Sequence, residues 1–119
     1  MFARWQQSRL GAYARGVVDT TPLTRAVEHF ADRLRAAPQS RLQRGAAAEA
    51  LELARELARR AQALEEPGVE PREMPDAGMF AAADQITVAG HDLAVVLAGD
   101  ADVAEAVTWV EEAQKRAGV

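Results

Sequence analysis

The stretch MFAAADQITVAGHDLAVVLAG, residues 79–99, is the most apolar run of the chain, yet charged and polar side chains interrupt it. Wound at about 100° per residue, it forms one continuous apolar face. That face consists of Met79, Ala82, Ala83, Ile86, Gly90, Leu93 and Leu97. Phe80, Val88 and Val95 lie outside it, so the helix is apolar on more than one side. The pattern predicts a helix over about 76–98 with neighbours on two sides.

Prolines, glycines and short polar residues mark where the helices start and stop. Thr21 before Pro22 predicts a helix start, because threonine accepts a bond from a free backbone N–H and a first-turn proline loses no donor. Pro38 ends that helix, since it lacks the N–H that a continuing helix needs. The later helices are predicted to be bounded by Asp76 as a cap, Gly99 as a stop, and Asp100 or Asp102 as a cap.

Apolar side chains recur with helical spacing along most of the remaining sequence. The predicted helices span about 22–37, 40–65 and 101–117, with a shorter N-terminal helix over about 2–15. Only QITVAG, residues 85–90, competes as a strand, and a lone strand would have no partner. The predicted fold class is therefore all-α: a helical bundle of four long helices plus the shorter N-terminal one, in a single helical domain over 1–119.

The segment EEPGVEPREMPD, residues 65–76, is a proline-rich internal linker of this domain. At about a dozen residues, it is longer than the 2 to 8 residues that usually join bundle helices. We expect it to cross from one end of the bundle to the other, to form an ordered lid, or to be mobile.

Charge is divided unevenly along the chain. Residues 1–60 hold 11 arginines and 6 acidic side chains, a net +5, whereas residues 61–119 hold 3 basic and 12 acidic side chains, a net −9. The two halves sum to the overall −4. Opposite signs favour attraction between the halves, within one monomer or across a dimer. No cysteine is present, which excludes disulfides, thiolate ligands and a cysteine nucleophile.

Asp84 and His91 project in nearly the same direction from the apolar helix. One hypothesis joins them to Glu28, His29 or Asp32 in a metal or acid–base site inside the bundle. The favoured interpretation is structural: an arginine of the basic half pairs with Asp84, while His91 donates a hydrogen bond at the edge of the core. No cofactor is predicted and no catalytic residue is assigned.

Arg33, Arg35, Arg41 and Arg44 surround the Pro38 turn, where two predicted helices meet. Clustered cations of this kind suit phosphate binding, which makes a nucleic-acid-binding regulator an alternative function. The overall acidity of the chain and its single lysine disfavour this alternative.

Two smaller features concern packing. Gly90, within the apolar face, favours close approach of another helix over a kink. Glu56 stands four residues before Arg60, a spacing that predicts an exposed ion pair on the 40–65 helix.

Trp5 and Trp109 are the candidate partner-binding residues, because tryptophan is favoured at interfaces and Trp109 lies off the apolar stripe of its helix. The sequence contains no glycine-rich phosphate loop, G-x-S-x-G, H-E-x-x-H or dinucleotide fingerprint. The favoured function is therefore a non-enzymatic helical-bundle interaction protein, which binds another protein or forms a homodimer.

The chain lacks an N-terminal signal and a membrane-spanning run, so we expect a cytoplasmic protein with no membrane partner.

Overall fold

A computed structural model describes residues 18–119 of the chain. The predicted helix at 2–15, including Trp5, lies outside these residues. All the regular secondary structure from 18 to 119 is helical, which confirms the all-α prediction. The long helices are α1 (Thr21–Ala36), α2 (Ala47–Glu65), α3 (Ala82–Val96) and α4 (Asp100–Ala117).

The start of α1 is stabilised by Asp19 and not, as predicted, by Thr21. The backbone N–H of Thr21 donates to Asp19 Oδ1 at 3.0 Å. Thr20 occupies the cap position, and its side chain makes no capping hydrogen bond within the described residues. The hydrogen bonds from Thr21 lower the pKa of the Asp19 carboxyl, because they favour its charged form. Pro22 lies in the first turn, where its missing N–H costs no hydrogen bond.

The helix predicted over 40–65 has a kink at Gly45. A short helical turn, Gln39–Arg41, leads into a wider turn, Leu42–Ala46, and α2 follows directly. Gly45 has φ of 144°, a conformation that side chains with a Cβ rarely adopt. The glycine therefore lets the chain change direction before α2 begins.

The helix predicted over 76–98 starts later than expected. Asp76 Oδ1 accepts a hydrogen bond from the N–H of Gly78 at 2.8 Å, so Asp76 shapes the turn before the helix instead of capping it. A 3₁₀ turn, Met79–Ala81, comes next, and α3 starts at Ala82. The helix ends at Val96, three residues before the predicted stop at Gly99.

The last helix starts with Gly99 in the cap position, so neither Asp100 nor Asp102 is the cap. Both carboxylates lie in the first turn of α4, where negative charge interacts favourably with the helix dipole. At the other end Gly118 adopts a left-handed conformation with φ of 72°, which closes the helix.

Side-chain pairs give the directions of the helices. Glu28 and Arg35 of α1 contact His91 and Asp84 of α3, respectively. Seven residues forward on α1 therefore correspond to seven residues backward on α3, so the two helices are antiparallel. Helices α2 and α4 are also antiparallel, because Glu49 contacts Arg116 and Arg60 contacts Trp109.

Helices α2 and α3 are parallel neighbours. Leu42, just before α2, lies with Met79 and Ala83 at one end of the bundle. Leu64, at the end of α2, lies with Leu97 at the other end. The connection between the two helices must therefore return along the bundle, as in four-helix bundles with one long crossover.

The returning connection is fastened along α2 and reaches α3. Gln62 forms two hydrogen bonds with the backbone of Arg72, one donated and one accepted. Arg55 Nε donates to the carbonyl of Met74 at 2.9 Å, and Gln85 of α3 donates to the carbonyl of Pro75 at 2.8 Å. Of the three predicted alternatives for this linker, the crossing from end to end is the one observed.

The core is formed by the inward faces of the four helices, with α3 packed against both α1 and α2. Its largest fully buried side chains are Phe30, Leu23, Leu57, Ile86, Leu93, Val27 and Val110. Gly90 faces α1: a Cβ built on it would lie 2.6 Å from Val27 Cγ2. The glycine thus allows close packing of α1 and α3, as the sequence suggested.

We expect Gly90→Ala to lower the free energy of unfolding by about 1 to 3 kcal/mol, because the added methyl overlaps Val27. This loss exceeds the gain of up to about 1 kcal/mol that alanine brings to a helix interior. Urea denaturation of the single variants and of Gly90→Ala with Val27→Ala measures the coupling. The double variant should be more stable than the two single losses predict, and a Gly90→Ala protein more stable than wild type would contradict the packing.

Candidate interaction surface

Three large apolar side chains face away from the core: Val88 and Val95 on α3, and Phe80 in the 3₁₀ turn that precedes it. Phe80 is 72% exposed, Val88 is 56% exposed and Val95 is 77% exposed. Asp84 and His91 lie between them, on the same side of the helix. We call these five residues the α3 outer face. An apolar residue on a protein surface is ordinary when it stands alone, whereas a row along one helix is typical of an interaction site.

Asp84 is held by an arginine of the basic half of the chain. Arg35 Nη2 donates to Asp84 Oδ1 at 2.8 Å, and its Nη1 lies 3.4 Å from Asp32 Oδ1. The hydrogen bond to Asp84 raises the pKa of Arg35, because the carboxylate stabilises the charged guanidinium. An arginine partner for Asp84 was predicted, and the structure shows it to be Arg35, in a pair on the surface where the Asp84 side chain is 77% exposed.

His91 also contacts α1 and is similarly exposed. Its Nε2 lies 3.5 Å from Glu28 Oε1, so the expected hydrogen bond at the core edge is replaced by a surface contact. Asp84 and His91 are seven residues apart, about 10 Å along the helix axis. Within residues 18–119, no three histidine, aspartate or glutamate side chains cluster to form a metal site, and His29 is exposed. A metal or catalytic role for Asp84 and His91 stays an untested prediction.

A second surface lies where α2 and α3 end and α4 begins. Leu64, Leu97 and Trp109 give it an apolar floor, and Asp102 and Glu105 give it an acidic rim. We call this the end groove. Leu64 is 54% exposed, and Leu97 and Trp109 are partly buried against the core. The groove thus combines an apolar floor with two carboxylates, and its lining also includes Arg60.

Trp109 is covered on one ring face by Arg60, whose guanidinium carbon lies 4.6 Å from the ring centroid. Arg60 Nε donates to Glu56 Oε1 at 3.0 Å, which confirms the predicted ion pair. Arg59 also donates to Glu56. The bonds from Arg59, together with those from Arg60, hold the pKa of Glu56 below its ordinary value. The pair on α2 therefore also positions a cation over an aromatic ring of α4, a cation–π contact.

The four arginines around Pro38 do not form a free basic patch. Arg35 binds Asp84, Arg41 Nη1 donates to the carbonyl of Gly118 at 2.8 Å, and Arg44 Nε donates to the carbonyl of Ser40 at 3.3 Å. Arg33 is exposed. The contacts of Arg35 and Arg41 are used to join helices, which reduces their availability to phosphates. Nucleic-acid binding stays an untested alternative.

The lowered pKa of Glu56 gives a prediction for acid denaturation. Its carboxylate contributes stability that is present above the unfolded-state pKa of about 4.3 and is lost as pH falls through the lower folded-state pKa. Glu56→Gln should therefore be less stable than wild type at pH 7, and the difference should shrink below about pH 4. Urea denaturation from pH 7 to pH 3 measures it.

The matched control is Glu111→Gln, which removes an exposed carboxylate of α4 that makes no ion pair within residues 18–119. It should change stability little across this range. A Glu56→Gln difference that stays constant with pH would contradict the stabilising role of the Glu56 carboxylate.

None of the helices described here is long and apolar enough to cross a membrane. Comparison of the chain with known proteins finds no matching family model, no matching curated protein and no matching solved structure. The two surfaces of the bundle are therefore the features that bear on its function.

Proposed function

We propose that this chain is a self-associating helical-bundle protein that forms a homodimer through the α3 outer face. The observation that carries the proposal is the row of Phe80, in the turn before the most apolar helix, and Val88 and Val95 on that helix, each more than half exposed. Covering these side chains removes apolar surface from water, which is the main favourable contribution to protein association. The helix is already tied to the rest of the bundle by its opposite face, so the outer face is presented on a packed scaffold.

The α3 outer face is complementary to itself in an antiparallel arrangement. If a two-fold axis passes between residues 87 and 88, Phe80 of one copy lies opposite Val95 of the other. Asp84 lies opposite His91, and the two Val88 side chains flank the axis. Each contact then occurs twice, as required of a symmetric dimer. In a parallel arrangement Asp84 would face Asp84, so charge favours the antiparallel one.

Contacts within the monomer prepare this arrangement. Arg35 holds Asp84 and Glu28 contacts His91, so both charged side chains are restrained before a second copy binds. Restraint of this kind lowers the conformational entropy that is lost on binding. An exposed ion pair contributes only about 0 to 1 kcal/mol, so these contacts add little to the stability of the monomer and leave Asp84 and His91 available to the partner.

The proposed interface is small, with three large apolar side chains from each copy. We therefore expect a dimer that dissociates on dilution, with a dissociation constant in the micromolar range. Its role is assembly, without chemistry of its own. A cytoplasmic location stays a prediction from the sequence.

We expect Val88→Asp to convert the dimer into a monomer, because it places two carboxylates beside the two-fold axis. Sedimentation velocity over a concentration series measures the change. Val88 is more than half exposed in the monomer, so the variant should remain folded, which circular dichroism checks. The control is Ala48→Asp, the same kind of change at an exposed position of α2, which should leave the dimer intact. A wild-type chain that is monomeric at every concentration would refute the proposal.

The antiparallel register is tested by exchanging charges. Asp84→Lys and His91→Glu should each weaken the homodimer, since each replaces the contact between Asp84 and His91 on both sides of the axis. Mixing the two variants should restore association, because Asp84→Lys in one chain then faces His91→Glu in the other. Native mass spectrometry distinguishes the mixed dimer from the two homodimers. A statistical mixture of the three species would show that these residues do not lie opposite each other.

A further inference from the structure

The chain enters the described bundle at the end that holds the end groove. Val18 is partly buried and packs against the core, and α1 begins at Thr21. In the antiparallel register of α1 and α3, residue 21 lies level with residue 98. Ala98 is itself part of the groove lining. The seventeen residues that precede Val18 are therefore attached close to the groove.

Those seventeen residues have the composition that the groove would bind. They contain Arg4, Arg9 and Arg15 and no acidic residue, together with the aromatic residues Phe2, Trp5 and Tyr13. The groove offers two carboxylates at its rim, Asp102 and Glu105, and an apolar floor that includes Leu64 and Leu97. Its lining also includes Arg60, which lies over the ring of Trp109 and donates to Glu56. Charge and apolar character are thus complementary between the segment and the groove.

The length of the segment is sufficient. Seventeen residues span up to about 56 Å when extended and about 25 Å when helical. Adjacent helices lie about 8 to 10 Å apart, so either form reaches across the end of the bundle. Because the segment is tethered, its effective concentration at the groove is on the order of millimolar. Weak contacts are therefore enough to keep the groove occupied.

We propose that residues 1–17 dock in the end groove of their own chain, with aromatic side chains over Leu64 and Leu97 and arginines toward Asp102 and Glu105. The α3 outer face is a poorer site for this segment, since Arg35 lies beside its Asp84 and would repel the arginines of the segment. This docking does not depend on the homodimer, because the groove and the α3 outer face are separate surfaces.

The test is paramagnetic relaxation enhancement on the 119-residue chain. The sequence has no cysteine, so Ala63→Cys allows a single nitroxide label at an exposed position of the groove lining. The label should strongly broaden the amide signals of residues 2–13. The control label at Ala48→Cys, an exposed position of α2 about 22 Å along the helix, should leave them much less affected. Equal broadening from both labels, or none from either, would refute the docking.

Two additions identify the occupant and the forces. In a second sample, nitroxide-labelled chains without ¹⁵N are mixed with ¹⁵N chains that carry no nitroxide. Broadening in this sample reports contacts between copies. Broadening that appears only in this mixture would overturn docking within one chain. Carrying out the measurements in the Val88→Asp background separates them from dimer formation.

Glu105→Lys should lower the broadening of residues 2–13 roughly twofold or more, whereas Glu112→Lys, the same charge change elsewhere on α4, should not. Equal effects of the two variants would contradict recognition by the acidic rim.

Discussion

Close packing of α1 against α3 is the constraint on which the remaining arrangement depends. A Cβ on Gly90 would overlap the side chain of Val27, so no larger residue fits unless Val27 or one of the two helices moves. This contact sets the relative height of two antiparallel helices. Once that height is set, Glu28 faces His91 and Arg35 faces Asp84, and the two contacts are seven residues apart on each helix. A contact between apolar atoms thus determines which charges meet on the surface.

The direction of α3 follows from a different constraint. The linker returns along α2, and the hydrogen bonds of Arg55 and Gln62 fasten its backbone there. Backbone groups that would otherwise lack partners near the protein surface are satisfied by these side chains. Because the linker leads the chain back along the bundle, α2 and α3 run in the same direction and finish at the same end of the bundle. Their shared ends, with the start of α4, form the end groove.

Much of the fold could be predicted from the sequence, because the four helices each carry a strong 3.6-residue apolar period. The boundaries were harder. Gly45 is one of several glycines in helical surroundings, and its positive φ has no local signal. The cap position of α1 is Thr20, and the N–H of Thr21 donates to Asp19, because several short polar residues precede the proline and can serve the start of the helix. The partner of Asp84 could be predicted as an arginine, but selecting Arg35 from 13 arginines requires the α1–α3 register, which is tertiary. The end groove could not be predicted at all, because its residues come from three helices.

The same register explains why the apolar helix tolerates Asp84 and His91. A row of exposed apolar residues without charge has no preferred register or direction, and it promotes indiscriminate association. In the proposed homodimer Asp84 and His91, seven residues apart, remove that freedom, because only an antiparallel partner in one register places each of them opposite the other. Placing them on the outer face also costs little, since both remain in contact with water and with α1. The polar side chains in the most apolar stretch of the chain are therefore compatible with its packing, and in the proposed homodimer they supply the direction that apolar contacts lack.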